Sequence, residues 1–484
     1  MGGPRVAYAE QLAYHEALRD SAARSSVRLS NLRAVTFLAA AGAWVGFDAM
    51  PDMAARIALG LAALLSAAFV GQVIIHRRVR REERWEGTLA ALAREGLFRL
   101  DRDWEQLDAA LPAAERASDQ PSPDHPYALD LNVLGRTSLA RLAGPVTSER
   151  GRALLRSWLL DPGEVPTVEA RQGAAQELAP LPELRTHFAA LGRLAGPSPL
   201  EGLDRFFAWA EGNAPGGARS WLLFSAWLLP PVLVSGLVGY FAFGWLPWWI
   251  APALGNFWVL KRNAGRTGAA FRDSVLGGAP LRSLVPQLEL LSGQEWADPA
   301  LEALAGRLGR GEDAARRHLD RLSALLDSVE SRRNVVYAVA APVLLLDIHL
   351  NMALDRWRAA HGKAARDWLE ALGEWEALSA LATLAYDHPD WVYPTFETGD
   401  APALKATALG HPLIPPDRCV RNDLSVGPPG TFLFVTGSNM SGKSTLLRAL
   451  GANAVLATTG APVCAEALSL PPVRVHTSMR IEDS

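Results

Sequence analysis

The chain has 484 residues, 49% of them hydrophobic, which excludes a largely disordered protein and leaves room for about three domains. The formal net charge of −3 excludes a global nucleic-acid-binding signature, so any basic surface has to be local. The two cysteines, Cys419 and Cys464, are too few for a disulfide framework and predict a reducing, cytosolic setting.

The first predicted element is a transmembrane hairpin at 31–85, after an N-terminal segment at 1–30. Its arms run from about Ala34 to Phe47 and from about Ile57 to Ile75. The second arm is long enough to span a bilayer, and the basic run at 77–81 follows it, as is typical of a cytoplasmic flank. The alternative is a buried helical hairpin of a soluble core.

A helical segment and a Pro-rich linker, together 86–127, come next, with linker composition from Leu111 to Pro126. A helical core is predicted in two parts, at 128–218 and 263–400, because apolar residues recur there at helical spacing. Four of them share one helical face: Leu319, Leu322, Leu326 and Val329. Pro389 is expected to end the last helix.

A second transmembrane hairpin, 219–262, interrupts the core. No charged residue occurs from Trp221 to Leu260, which is enough for two helices of about 18 residues and a turn near Gly244. Lys261 and Arg262 follow, so both hairpins are expected to have their ends on the cytoplasmic side. A buried soluble hairpin is again the alternative.

The last segment, 401–484, contains a Walker A pattern, the P-loop that binds nucleoside triphosphates. Residues 437–444 read G-S-N-M-S-G-K-S, which gives glycines for a tight phosphate cradle, Lys443 for the outer phosphates and Ser444 for Mg²⁺. We expect a buried strand over Thr431–Thr436 before the loop and a helix from Thr445 after it. The predicted cofactors are therefore ATP and Mg²⁺.

Several motifs resemble those of one known family. The run 436–445 is similar to T-G-P-N-M-G-G-K-S-T, and Gly410-His411-Pro412-Leu413 resembles an R-H-P-hydrophobic turn. Residues 422–424 and 460–465 resemble two further motifs, while 130–162 and 376–382 resemble the start and the lever of a helical core. Together they identify the chain as similar to the MutS-like ATPases, in their membrane-anchored bacterial branch.

The resemblance implies a mainly α fold: a helical MutS-like core with two transmembrane helical hairpins, followed by an incomplete, parallel α/β P-loop ATPase domain. It assigns nucleotide contacts to one run of residues: Gly437, Ser438, Asn439, Met440, Ser441, Gly442, Lys443, Ser444 and Thr445. Within that run, Lys443 and Asn439 are the expected catalytic residues, and Ser444 is the Mg²⁺ ligand.

The resemblance also implies a homodimer in the bacterial inner (cytoplasmic) membrane, with lipid as a partner and DNA as a candidate partner. Nothing before Asp130 resembles a mismatch-reading domain, and Cys419 stands where the family has an aromatic residue over the base. The sequence ends at Ser484, before the acidic Walker B strand and the residues that act on a partner's site. We therefore expect ATP hydrolysis from a longer protein, and an inactive truncated chain.

Two other functions stay open: a transporter subunit powered by a fused ATPase, and a nucleotide-binding scaffold without turnover. Three features are interpreted as decoys. Asp347, after an apolar run, is assigned to a core helix rather than to a metal site, and Leu291–Gln294 to an inter-helix loop rather than to a transporter signature. His476 is assigned to a strand surface.

Overall fold

The computed structural model describes residues 3–46, 52–117, 124–196, 200–212, 220–309, 314–399, 401–438 and 442–478. Most of the described residues are helical and few lie in strands, which confirms the mainly α prediction. The helices are α1 Pro4–Gly46, α2 Asp52–Asp101, α3 Trp104–Ala110, α4 Ala113–Ala117, α5 Leu139–Ala143, α6 Glu149–Leu160, α7 Val165–Leu178, α8 Pro182–Ala195, α9 Leu200–Glu211, α10 Ser220–Phe243, α11 Ile250–Ser292, α12 Pro299–Leu308, α13 Ala315–Glu330, α14 Val335–Leu344, α15 Leu346–Asp387 and α16 Lys443–Thr459.

The chain divides into two compact units. Unit 1 comprises Met1–Arg116, Tyr386–Pro389 and Leu413–Cys419, and unit 2 holds the remaining residues. Helix α3 lies in the predicted helical segment, and the short helix α4 lies inside the stretch of linker composition that begins at Leu111. Residues 118–123 of that linker lie outside the described part of the chain.

Unit 1 is built on α1 and α2, which pack along each other. The predicted apolar arms are only parts of these helices, which have 43 and 50 residues. The most apolar 18-residue window of α2 has a mean hydropathy of 2.2 and is 6% buried. Its apolar side chains therefore face outward, as those of a lipid-facing helix do.

A buried polar cluster joins the ends of the unit 1 helices. The Arg99 guanidinium pairs with the Asp387 carboxylate at 3.3 Å, and both side chains are almost inaccessible. The Tyr8 hydroxyl donates to the second oxygen of Asp387 at 2.7 Å. Because each buried charge has a partner, the burial is tolerated.

Unit 2 contains the second apolar hairpin, α10 and α11, joined by a turn at 244–249 in which Gly244 has φ +67°. Two helices and a turn lie where the apolar hairpin was predicted, although α11 extends far beyond the apolar stretch. By length and composition, α2 and α10 are the described helices able to cross a membrane, and the bent pair α14–α15 would add a third span.

The bent pair was not predicted. Helices α14 and α15 meet at an angle of 78° around Leu345, which has φ +50° and is fully buried against α10 and α11. Asp347 follows the break and pairs with Arg332 at 2.9 Å. Asp347 lies in the first turn of α15, so the core helix expected there is interrupted just before it.

The rest of unit 2 is the helical core. Leu319, Leu322 and Leu326 of α13 are fully buried, which confirms the predicted apolar face. Helix α15 ends at Asp387, two residues before Pro389, as expected. A proline disfavours helical geometry at the residue that precedes it.

A small sheet follows, made of β1 Thr395–Phe396, β2 Leu404–Leu409, β3 Asn422–Val426 and β4 Ala467–Leu470 in the order β1-β4-β2-β3. Only β1 and β4 are parallel, whereas β2 is antiparallel to both neighbours. The prediction of a parallel sheet was therefore wrong for these strands. The P-loop domain is not established by this sheet.

The strand predicted over Thr431–Thr436 was also wrong. The segment forms no strand, and Phe432 and Phe434 are 84% and 78% exposed. An apolar run becomes a buried strand only beside a neighbour that satisfies its backbone groups, and no described strand lies beside this segment.

Candidate functional site

The glycine-rich segment lies directly before α16. Gly437, Ser438 and Gly442 to Thr445 are described, while the predicted contacts Asn439, Met440 and Ser441 fall outside the described residues. Gly442 has φ +84°, a left-handed conformation that favours glycine, and it leads the chain into the helix at Lys443. The predicted helix after the loop is confirmed.

The first turn of α16 is open for an anion. It has no side-chain cap and no acidic residue, and the Ser444 and Thr445 side chains are exposed. The first N–H groups of a helix lack intrahelical acceptors, and the helix dipole makes this end partly positive. Backbone donors and the Ser444 hydroxyl therefore share one exposed helix start, as a phosphate with a bound cation requires.

The Lys443 ammonium group hydrogen-bonds to the glycine-rich segment that precedes it. It donates to the carbonyl oxygens of Gly437 at 2.7 Å and Ser438 at 2.5 Å. The side chain is half-buried, so these contacts replace part of its hydration. Lys443 thus already lies across the loop that the sequence assigned to phosphate.

The far end of α16 is fixed to the helical core. The Thr459 hydroxyl, which lies 2.7 Å from the Val455 carbonyl within α16, is also 3.1 Å from the Trp158 carbonyl of α6. The Gly163 N–H donates to the Thr458 carbonyl at 3.3 Å. Gly451, in mid-helix, lies so close to Leu131 that a Cβ there would stand 2.8 Å from the leucine side chain. A displacement of α16 would therefore be transmitted to the core.

Asn453 of α16 connects two motifs that are far apart in the sequence, 410–413 and 460–465. Fully buried, it donates to the Gly410 carbonyl at 2.8 Å and accepts from the Cys464 N–H at 2.7 Å. The Gly410 N–H in turn donates to the Cys464 carbonyl at 2.7 Å. Asn453 was missed by the sequence prediction, although a lone amide in the apolar half of a helix was a signal for a buried hydrogen-bonding role.

His411 follows Gly410 in this junction. Burial, together with the positive charge of Arg448 on α16, lowers the pKa of His411 to about 4. The imidazole is therefore neutral at pH 7. His476, the other histidine considered, is exposed and lies outside any described strand.

The segment after β4 returns to the start of the core. The Thr477 hydroxyl donates to the Asp130 carboxylate at 2.6 Å, and its N–H donates to the Pro126 carbonyl at 3.0 Å. Asp130 begins the motif that resembles the family's core, so the structure joins this motif to the end of the described chain.

Part of the chain is similar to a known protein. No protein-family model matches the chain. A stretch of 120 residues is 32% identical to the DNA mismatch repair protein MSH6 of Arabidopsis thaliana, covering 22% of this chain and 9% of that protein. The match thus spans less than a tenth of the length of this relative. MSH6 is a member of the MutS family.

Proposed function

We propose that the protein is a membrane-anchored, MutS-like nucleotide-binding protein that binds ATP with Mg²⁺ through its P-loop segment. One observation carries the proposal: a Walker A pattern lies directly before the uncapped N-terminus of α16, with Gly442 in the left-handed conformation. Sequence pattern and local geometry thus point to the same anion-binding chemistry.

The residues present fit ATP and Mg²⁺. Backbone N–H groups at the start of α16 would donate to phosphate oxygens, and the Ser444 hydroxyl would be a Mg²⁺ ligand. The Lys443 ammonium group would exchange the carbonyl oxygens of Gly437 and Ser438 for the outer phosphates, where a full negative charge makes the stronger hydrogen bonds. Asn439 is assigned to the hydrolytic end of the nucleotide. Bound Mg²⁺ would neutralise charge on the phosphates during phosphoryl transfer.

The anchoring of α16 supports a mechanical role for the nucleotide. A ligand bound at the start of α16 would shift this helix, and the far end of the helix contacts α6 through Thr459 and Trp158. We infer that nucleotide binding is transmitted to the helical core by this route. A homodimer and an action on DNA belong to the same proposal by family similarity.

Membrane anchoring rests on the two apolar helices. The exposed apolar surface of α2 and the apolar α10 are both long enough to cross a bilayer. Arg77, Arg78, Arg80 and Arg81 are exposed after the apolar half of α2, as expected for a cytoplasmic flank. We therefore propose the bacterial inner membrane, with the P-loop segment on the cytoplasmic side.

Two polar contacts favour an anchor over the transporter subunit. The Asn256 amide donates to the carbonyls of Pro342 and Val343, at the break before α15. His349 contacts the Ala226 carbonyl at 3.0 Å, where Pro230 of α10 supplies no N–H. Both polar side chains satisfy exposed helix carbonyls, rather than mark a substrate path.

Calorimetry on the detergent-solubilised full chain tests nucleotide binding. Lys443→Ala should weaken the binding of ATP–Mg²⁺ by tens-fold or more, because losing one partner of a desolvated charged contact costs about 2–5 kcal/mol. Lys405→Ala is the matched control, since Lys405 lies on β2 and pairs with Glu397 at 3.6 Å. Equal affinities of the wild type and Lys443→Ala would overturn the proposal.

A further inference from the structure

A second cleft lies in the helical core, between α6, α7, α12 and α15. Its volume is about 520 Å³, within the range of about 300–1,000 Å³ typical of small-molecule sites. Leu154 and Leu378 supply apolar surface, and Trp158 forms part of the wall. The cleft therefore has the size and the mixed lining of a binding site for a small organic molecule.

Among the residues that line the cleft, arginines outnumber carboxylates. Three guanidinium groups, those of Arg150, Arg171 and Arg307, face two carboxylates, those of Glu370 and Glu374. Arg150 pairs with Glu370, and Arg307 pairs with Glu374 at 2.7 Å. Arg307 also pairs with Asp367, beside the cleft, at 2.7 Å. Arg150 and Arg307 therefore each have a carboxylate at ion-pair distance, and Arg171 is the remaining arginine of the lining.

Arg171 has no carboxylate partner among the described residues. Its guanidinium carbon lies 4.1 Å from the centre of the Trp158 ring, and one nitrogen reaches the Thr459 carbonyl at 3.5 Å. Burial lowers the pKa of this guanidinium to about 10, so it stays charged at pH 7. Besides the charge of Glu374, which acts on it without an ion-pair contact, this partly desolvated cation has a ring face and one long hydrogen bond. An anion in the cleft would give it the direct charged partner that it lacks.

We propose that this cleft binds a small organic anion, whose carboxylate or phosphate group pairs with Arg171 and whose apolar body lies against Leu154 and Leu378. The planar guanidinium suits such a head group because it offers two parallel donors. The site is separate from the P-loop segment.

Ligand-observed NMR on the detergent-solubilised full chain tests the proposal with three probes: benzoate, phenyl phosphate and the neutral benzamide. We expect both anions to bind at low millimolar concentration, and benzamide to bind at least tenfold more weakly. Arg171→Gln should weaken the binding of both anions at least tenfold. Arg474→Gln, which removes an exposed charge outside the cleft, should leave the binding unchanged.

A second variant separates loss of the site from loss of the fold. Ala170 is exposed and lines the cleft, so Ala170→Phe fills the cleft without removing a contact of Arg171. We expect this variant to unfold at the wild-type temperature and to lose anion binding. The proposal is wrong if neither anion binds at 10 mM, if benzamide binds as well as benzoate, or if Ala170→Phe binds like the wild type. A purely structural Arg171 would give the first of these results together with a lower unfolding temperature in Arg171→Gln.

Discussion

The Lys443 ammonium group donates to the carbonyl oxygen of Gly437 at 2.7 Å, so the lysine assigned to phosphate lies across its own loop. A hydrogen bond of this kind contributes only about 1–3 kcal/mol, because both groups are otherwise solvated. Phosphate oxygens, with their full charge, compete effectively for the same donor. The contact therefore holds the lysine near the site without blocking it.

The junction around Asn453 should be sensitive to substitution. Asn453→Ala leaves the Gly410 carbonyl and the Cys464 N–H without their side-chain partner, and each buried unsatisfied group costs about 1–3 kcal/mol. We expect the thermal unfolding midpoint to fall by several degrees. Asn422→Ala is the matched control, since Asn422 is exposed and makes a single long side-chain contact. Equal midpoints for the two variants would show that the junction does not depend on Asn453.

The contribution of the His349–Ala226 contact to stability should depend on Pro230. His349→Ala leaves the Ala226 carbonyl unpaired, because Pro230 has no N–H for it, and should destabilise the protein by about 1–3 kcal/mol. In a Pro230→Ala background, the new N–H can bond to Ala226, so the same histidine substitution should cost much less. A double-mutant cycle on thermal unfolding measures this coupling. Strictly additive effects would contradict the assignment.

Stability should fall in mild acid. The pKa of His411 is about 4 in the folded protein, below the value of about 6.5 for an unfolded chain. Between these values the unfolded state binds more protons, so the His411 contribution is complete above about pH 6.5 and is lost as the pH falls toward 4. Burial, with Arg102 and Arg99, lowers the pKa of His388 as well, which adds to the same trend.

Thermal unfolding between pH 4.5 and 7.5 measures this dependence. His411→Gln should flatten the curve and leave the smaller slope that His388 contributes. A slope identical to that of the wild type would rule out His411 as a source of the dependence.

Membrane anchoring by α10 can be tested by introducing one charged residue into this helix. Val234 is a partly exposed residue of α10, and an arginine near the centre of a span costs about 2.5–3.5 kcal/mol on insertion scales. Val234→Arg should increase the fraction released from membranes by alkaline wash. Leu194→Arg, at an exposed apolar position near the end of α8, should stay with the membrane. Release of the wild-type protein by the same wash would contradict the membrane proposal itself.

Periodicity predicted the helices well and the tertiary contacts poorly. The apolar face of α13 and the end of α15 before Pro389 follow from local spacing and from proline geometry. The break at Leu345 does not, because it depends on burial against α10 and α11 and on the Asn256 amide.

At the candidate site, too, local features followed from the sequence and tertiary contacts did not. The helix expected after the glycine-rich loop is present as α16, because a helix start is a local feature. The strand over Thr431–Thr436 was predicted from apolar composition alone, yet a strand needs a partner that composition does not supply. The role of Asn453 depends on residues about 11 and 43 positions away, which no local pattern reveals.

The central claim is that ATP–Mg²⁺ binds at the loop before α16, and hydrogen–deuterium exchange on the full chain tests it most directly. ATP–Mg²⁺ should slow amide exchange in peptides that cover 437–450, because nucleotide phosphates would hold the N–H groups at the helix start. The same peptides should exchange at their nucleotide-free rate in Lys443→Ala. Exchange that ATP–Mg²⁺ leaves unchanged in the wild type, or slows equally in Lys443→Ala, would contradict the account.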